Sequence, residues 1–167
     1  ISLLTNDLPV DIKAANLLAE QWSVLKIKIN VSVMPTKDLN ESAVKPRNFD
    51  ILLVPEKFNA DPDPFIFWHS SQVKDPGFNL TGFSDASVDK LITEARTTTN
   101  KQIREAKYQE FNNIIASRFV VVFLDQTEYV YATDKSIKNI NLKNLYDPNQ
   151  RFNSIQNWYI NETRVWK

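Results

Sequence analysis

Two aspartates set between prolines, Asp61-Pro62-Asp63-Pro64, and one histidine, His69, are the residues whose types and spacing invite chemistry. A carboxylate pair can share acid–base work or hold a hard cation. The prolines also give both aspartates a structural reason. Each pre-proline residue is biased towards extended backbone, and Asp63 is placed to cap a short helix with Pro64 at its first position. The structural reading carries more weight, because nothing completes a catalytic set. A single histidine acting as a base needs a nucleophile and an orienting partner, and the sequence marks neither. The chain has no cysteine, which removes disulfides, thiolate metal sites and cysteine nucleophiles together. Its two glycines, Gly77 and Gly82, cannot build a glycine-rich phosphate cradle. No catalytic residue, metal site or cofactor is expected.

The element that must position this loop is the run Phe49-Asp50-Ile51-Leu52-Leu53-Val54. Short and nearly all apolar, it has the pattern of a strand buried on both faces. In open α/β sheets, ligands bind in the crevice beyond the carboxyl ends of the strands. The residues that leave this strand, Glu56, Lys57, Phe58, Asn59 and Asp61, are therefore the candidate ligand contacts, with Trp68 further along. Trp68 and His69 suit packing at least as well as binding.

The rest of the chain reads as elements around that strand. Ile1 to Thr5 is a strand, followed by an amphipathic helix from Asp11 to about Leu25 with Ala15, Leu18, Ala19 and Trp22 on one face. Ile27, Ile29, Val31 and Val33 alternate with polar residues in a second strand that Pro35 ends, so the order opens β-α-β. Lys74-Asp75-Pro76-Gly77 is a turn. Ser84 is the expected cap of a helix with a Val88, Leu91, Ile92 and Ala95 stripe, and Thr99 with Gln102 fits a capping box for a second helix running to about Arg118. Asp89 and Arg104, on these neighbouring helices, are expected to pair. Phe119 to Leu124 is rich in strand formers, extended by or paired with Tyr129 to Tyr131, and the tail from Phe152 to Ile160 reads as a turn and a last short strand. The aromatic residues Tyr129, Tyr131, Trp158 and Tyr159 suit core packing, with cleft lining as the rival.

At 167 residues the chain is within the size of one domain, and residues 1–167 are read as a single α/β domain. Lysine plus arginine and aspartate plus glutamate are 20 each, so nothing points to a nucleic acid or an anionic membrane surface as partner. No apolar run approaches the length of a membrane span, and no signal-peptide pattern opens the chain. Asn-x-Ser/Thr sequons at Asn30, Asn40, Asn79 and Asn161 need no function.

Taken in order, several motifs carry a family resemblance: Asp50-Ile51-Leu52-Leu53, Asp61-Pro62-Asp63 before an aromatic, Asn79-Leu80-Thr81-Gly82-Phe83-Ser84, Val88-Asp89-Lys90-Leu91 with Glu94-Ala95-Arg96, then Arg104, Tyr108 and Trp158-Tyr159-Ile160. Their order and spacing resemble the family 5 extracellular solute-binding proteins, the peptide- and nickel-type receptors of ABC importers. The resemblance implies a type II periplasmic-binding-protein-like lobe, a mixed sheet flanked by helices, here the carboxyl-terminal lobe of a two-lobed protein whose amino-terminal lobe is absent. It implies a non-enzymatic protein that captures a small solute or peptide between two lobes, partners in the ABC permease membrane subunits, and an extracytoplasmic location, free in the periplasm or as a lipoprotein. One departure stands out. In the oligopeptide and dipeptide receptors an aspartate shortly before the Asp-Pro motif pairs with the peptide amino group, and the aligned position here is Phe58. Glu56, two residues earlier and on the same side of an extended segment, is the candidate substitute. The same loss motivates the alternative of a sensing or scaffold module that keeps the receptor fold without transport.

Overall fold

The structure is a computed structural model that describes residues 1–56, 63–125, 129–142, 145 and 147–160. The chain divides into two compact units, Ile1–Lys57 with Asp63–Val122, and Phe58–Pro62 with Phe123–Lys167.

The first unit opens with β1 (Ser2–Asn6), α1 (Pro9–Val24) and β2 (Asn30–Met34), the β-α-β order read from the sequence. Helix α1 starts two residues before Asp11 because Pro9 already supplies the first helical φ and lacks only an amide that would be orphaned there. A short helix, α2 (Thr36–Leu39), continues as a π turn over Asn40–Val44 and leads to β3 (Ile51–Leu53). The three strands form a parallel sheet in the order β2-β1-β3, with Leu3 opposite Ile51 and Thr5 opposite Leu53. The class is therefore α/β, as read from the sequence. The strand buried on both faces is β1, where Leu3 is 1% and Thr5 0% exposed, whereas all of β3 is only half-buried. An apolar run marks a strand; its place in the sheet comes from its neighbours, and β3 has one neighbour among the described residues.

Beyond the loop, α3 (Phe65–Trp68) is followed by a 3₁₀ turn at Ser70–Gln72, then α4 (Ala86–Thr97) and α5 (Lys101–Arg118). Their inward stripes meet in a core of Trp68, Val88, Ile92, Phe111 and Ile115. Val88 and Ile92 are fully buried, each contributing about 1.5–3 kcal/mol of apolar transfer. The caps fall one residue later than the sequence suggests. Asp85, not Ser84, accepts from the amides of Ser87 and Val88, and Asn100, not Thr99, accepts from Ile103. A carboxylate or amide oxygen serves as well as a hydroxyl at this position, so adjacent cap-type residues compete. The Asp85 cap leaves a mark on its acidity, since bonds from Ser87 hold the carboxyl below its usual value. Between α4 and α5 the ion pair is Glu94 with Lys107. The expected Asp89–Arg104 pair does not form, because Asp89 accepts from Ser70 and Arg104 donates to the Thr98 carbonyl 2.9 Å away. Arg47 fastens the sheet side to the loop before α4, donating to the carbonyls of Val44, Val73 and Gly77.

Phe119 ends α5 in a left-handed conformation, and the strand expected from Phe119 to Leu124 is not present. Val120 and Val121 pack on the helical core, while Phe119, Val122 and Phe123 are 88%, 74% and 70% exposed. Strand-forming side chains make a strand only when another strand takes up their backbone groups. In the second unit β4 (Ile137–Lys138) pairs antiparallel with β5 (Tyr159–Ile160), so the expected last strand exists and finds its partner in Ile137–Lys138. A 3₁₀ turn at Pro148–Phe152 is closed by a reciprocal cap between Asp147 and Gln150.

Candidate functional site

At the carboxyl edge of the sheet, Thr5 and Asn6 end β1, both almost fully buried. The Thr5 hydroxyl donates to the Leu53 carbonyl at 2.9 Å, locking the end of β3 to β1, and Asn6 Oδ1 accepts from the Leu8 amide at 2.9 Å. From this fixed point the chain leaves the sheet through Val54 and Pro55 to Glu56, which is exposed. Lys57, Phe58, Asn59 and Asp61 lie outside the described residues. The chain is described again from Asp63, and that end of the loop is fixed as firmly. Asp63 Oδ1 accepts from the Phe65 amide at 3.0 Å, and Oδ2 meets Arg96 Nε at 2.8 Å. The Arg96 guanidinium in turn lies over the Phe65 ring, 4.1 Å from its centre. The cap position falls on Pro64, one residue later than expected, so α3 starts at Phe65 and not at Pro64; the Asp63 oxygens are still committed to the first amide of α3 and to Arg96.

Trp68 is turned into the protein. It is 5% exposed and packs edge-on against Phe83 and Phe111, with ring centres 6.4 and 5.8 Å away. His69 stacks on Phe65 at 4.3 Å and holds Ser71 through Nδ1 at 2.9 Å, while Nε2 stands 4.0 Å from Asp89. These contacts explain the packing role that Trp68 and His69 suit. They make a rigid landing for the loop.

Two further residues belong to this edge that the sequence did not single out. Asn6 is one. The other is Asp11 in the first turn of α1, one helical turn before the fully buried Ala15 and so on the face turned to the sheet. Its Oδ2 is shut from solvent and has no donor. An acidic residue at this helix position normally reaches back to the cap amide; here Asn6 already occupies the Leu8 amide. The signal was present in the spacing of Asn6, Leu8 and Asp11, but only the closed turn gives it meaning.

Partial burial raises the Glu56 carboxyl above the ordinary glutamate range, even though the residue still reaches solvent. The folded chain thus holds this proton more tightly than the unfolded chain does. Stability should rise as pH falls through the raised value and level off below the ordinary range. Glu56→Gln is expected to remove that dependence and to leave the chain slightly more stable at neutral pH. Urea midpoints of both proteins between roughly pH 4 and 7 check this; a difference that does not change with pH would count against it.

Among the described residues, no group of three histidine, cysteine or acidic side chains is placed to hold a metal ion, and no helix is long and apolar enough to cross a membrane. A hollow of about 470 Å³ lies elsewhere on the first unit, lined by residues including Ser2, Met34, Phe49 and Asp50. Asp50 there accepts the Ser2 amide at 2.8 Å and Arg47 is bound to three carbonyls, so its charged groups are already used.

No family model matches the chain. Among curated proteins it is 22% identical over 147 residues to the oligopeptide-binding protein AppA of Bacillus subtilis, covering 87% of this chain and 26% of that protein. It is 32% identical over 80 residues to the probable D,D-dipeptide-binding periplasmic protein DdpA of Escherichia coli, covering 47% and 16%. Among solved structures, AppA from Bacillus subtilis in complex with a nonapeptide superposes with a TM-score of 0.69 at 22% identity, over 96% of this chain and 31% of that one. NikZ from Campylobacter jejuni in complex with Ni(L-His) gives 0.66 at 19% identity, over 94% and 32%. The chain thus spans about a third or less of the proteins it matches. Peptide- and nickel-type solute-binding proteins of ABC importers, the receptors of family 5, are what this chain resembles in sequence as well as in fold, and the fold it carries is that of a part of one.

Proposed function

We propose that the protein is the non-enzymatic solute-binding component of an ABC importer, with residues 1–167 forming the carboxyl-terminal lobe of a two-lobed receptor outside the cytoplasmic membrane. The observation that carries this reading is the loop from Val54 to Asp63, which leaves the carboxyl edge of a parallel sheet and is anchored at both ends, by Thr5 on Leu53 and by Arg96 on Asp63. A small solute, a peptide in the first instance, sits between this edge and the other lobe. Lys57, Phe58, Asn59 and Asp61 face it, and Glu56 receives the ligand's ammonium where Phe58 has replaced the usual aspartate. Closure of the lobes over the solute presents a face to the permease subunits. Trp68 acts from behind, holding the far end of the loop.

The test is thermal stabilisation of the full-length polypeptide by short peptides, free amino acids and nickel–histidine chelates, with each peptide also supplied acetylated at its amino end. A solute at a hundred times its dissociation constant should add about 2.7 kcal/mol. We expect a free-amino peptide to stabilise, its acetylated form to lose at least tenfold in affinity, and Glu56→Ala to lose a similar factor. Stabilisation by no solute of any class would sink the receptor reading. Binding unchanged in both Glu56→Ala and Phe58→Ala would move the site elsewhere.

A further inference from the structure

The second unit contains a guanidinium whose best hydrogen-bonding edge is unoccupied. Arg151, in the turn at Pro148–Phe152, donates through Nη1 to the Pro148 carbonyl at 2.8 Å and to the Tyr129 hydroxyl at 3.1 Å. The cation lies 4.3 Å from the centre of the Phe152 ring and 5.6 Å from that of Tyr131. Trp158 closes the group, 6.0 Å from Phe152 and 6.5 Å from Tyr131, and Tyr129 stacks on Tyr131 at 6.4 Å. Two rings therefore flank one positive charge, and Tyr129 and Trp158 pack against those rings.

The donors left over are Nε and Nη2. They form one side of the planar fork, the side that matches both oxygens of a carboxylate at once. Nε is shut from water and has no acceptor, and among the described residues no carboxylate pairs with Arg151. A charged donor withdrawn from water without an acceptor is a deficit that an incoming anion relieves. A carboxylate fits the fork; aromatic walls fit an apolar group beside it. Among the described residues, Arg96 is committed to Asp63 and Arg47 to three carbonyls, while Arg104 shares an unpaired buried Nε but spends Nη2 on the Thr98 carbonyl.

We propose that Arg151, flanked by Tyr131 and Phe152 with Trp158 packed on both rings, is a binding site for a small organic carboxylate that carries an apolar group, the carboxylate seated on Nε and Nη2. The site is built within the second unit, and it stands whether or not the strand edge of the first unit receives a solute.

The probe is N-acetylphenylalanine, compared with its carboxamide. Neither has an ammonium for Glu56, so the outcome is independent of the receptor reading. Tryptophan fluorescence is followed during titration, and Trp158→Phe identifies the part of the signal that belongs to this site. We expect a saturable change with the acid in the millimolar range and affinity at least tenfold weaker for the carboxamide, since one of the two paired oxygens is lost. Arg151→Lys, which keeps the charge and loses the fork, should weaken acid binding about tenfold with the circular dichroism unchanged. Equal binding of acid and carboxamide by the parent protein would overturn the proposal without any variant. So would an Arg151→Lys protein that binds the acid as well as the parent, which would leave Arg151 as a structural member of an aromatic stack.

Discussion

Trp68→Ala should lower stability by about 3–5 kcal/mol, the cost of emptying an aromatic site in a packed core. Trp68 is 5% exposed and sits where α3, α4 and α5 meet, edge-on to Phe83 and Phe111 and beside Val88, Ile92 and Ile115. These neighbours come from three separate stretches of chain, so they cannot close the space by a single local shift. A loss of this size is a large part of the stability of an ordinary domain. The measurement is chemical denaturation followed by circular dichroism, with Trp68→Phe as the volume-sparing control that should lose clearly less. A Trp68→Ala midpoint within experimental error of the parent would show that Trp68 is not part of the core. Because α3 also receives the far end of the candidate loop, Trp68→Ala should impair solute binding at temperatures where the chain is still folded.

Asn79→Ala is the second large effect, expected at about 2–3 kcal/mol, and its origin is polar. Asn79 is fully buried, and its Nδ2 donates to the carbonyls of Phe83 at 2.9 Å and of Trp68 and His69, both at 3.3 Å. Its Oδ1 accepts from the Thr81 hydroxyl, whose oxygen in turn accepts from the Phe83 amide. Removing the amide deprives carbonyls at the end of α3 of their side-chain donor and leaves the 79–83 turn without its centre. Asn79→Asp should be at least as damaging, because it sets a carboxylate against three carbonyl oxygens. Thr81→Ala, at an exposed position, should cost much less. Urea titrations of the three variants decide this; an Asn79→Ala protein no weaker than Thr81→Ala would show that the network contributes little. The burial also closes the sequon at Asn79, because a glycan has no exit from a side chain that is 0% exposed.

Asn79 stands in a motif that carries the family resemblance and Trp68 follows another, and both act from inside the protein. A tryptophan after an Asp-Pro motif reads as easily as a ligand contact as a core residue, and an Asn-Leu-Thr triplet reads as a sequon. Burial separates these meanings, and burial depends on what the rest of the chain brings alongside.

The sequence by itself determined the β-α-β opening, the two long helices, the inward stripe of the first of them and the Lys74–Gly77 turn. Each follows from periodicity or from the local stereochemistry of proline and short polar side chains, which act within a few residues. It also named the segment after the third strand as the candidate place for a ligand, which the solute titrations test. Tertiary structure alone decided that β1, not β3, is the buried strand, that Asp89 serves Ser70 instead of Arg104, and that Phe119–Leu124 forms no strand. It alone left Asp11 without a donor and Arg151 with a free edge. Sheet position, ion-pair choice and an unmet hydrogen bond depend on neighbours distant in sequence, and no local pattern of side chains encodes which of those neighbours arrives.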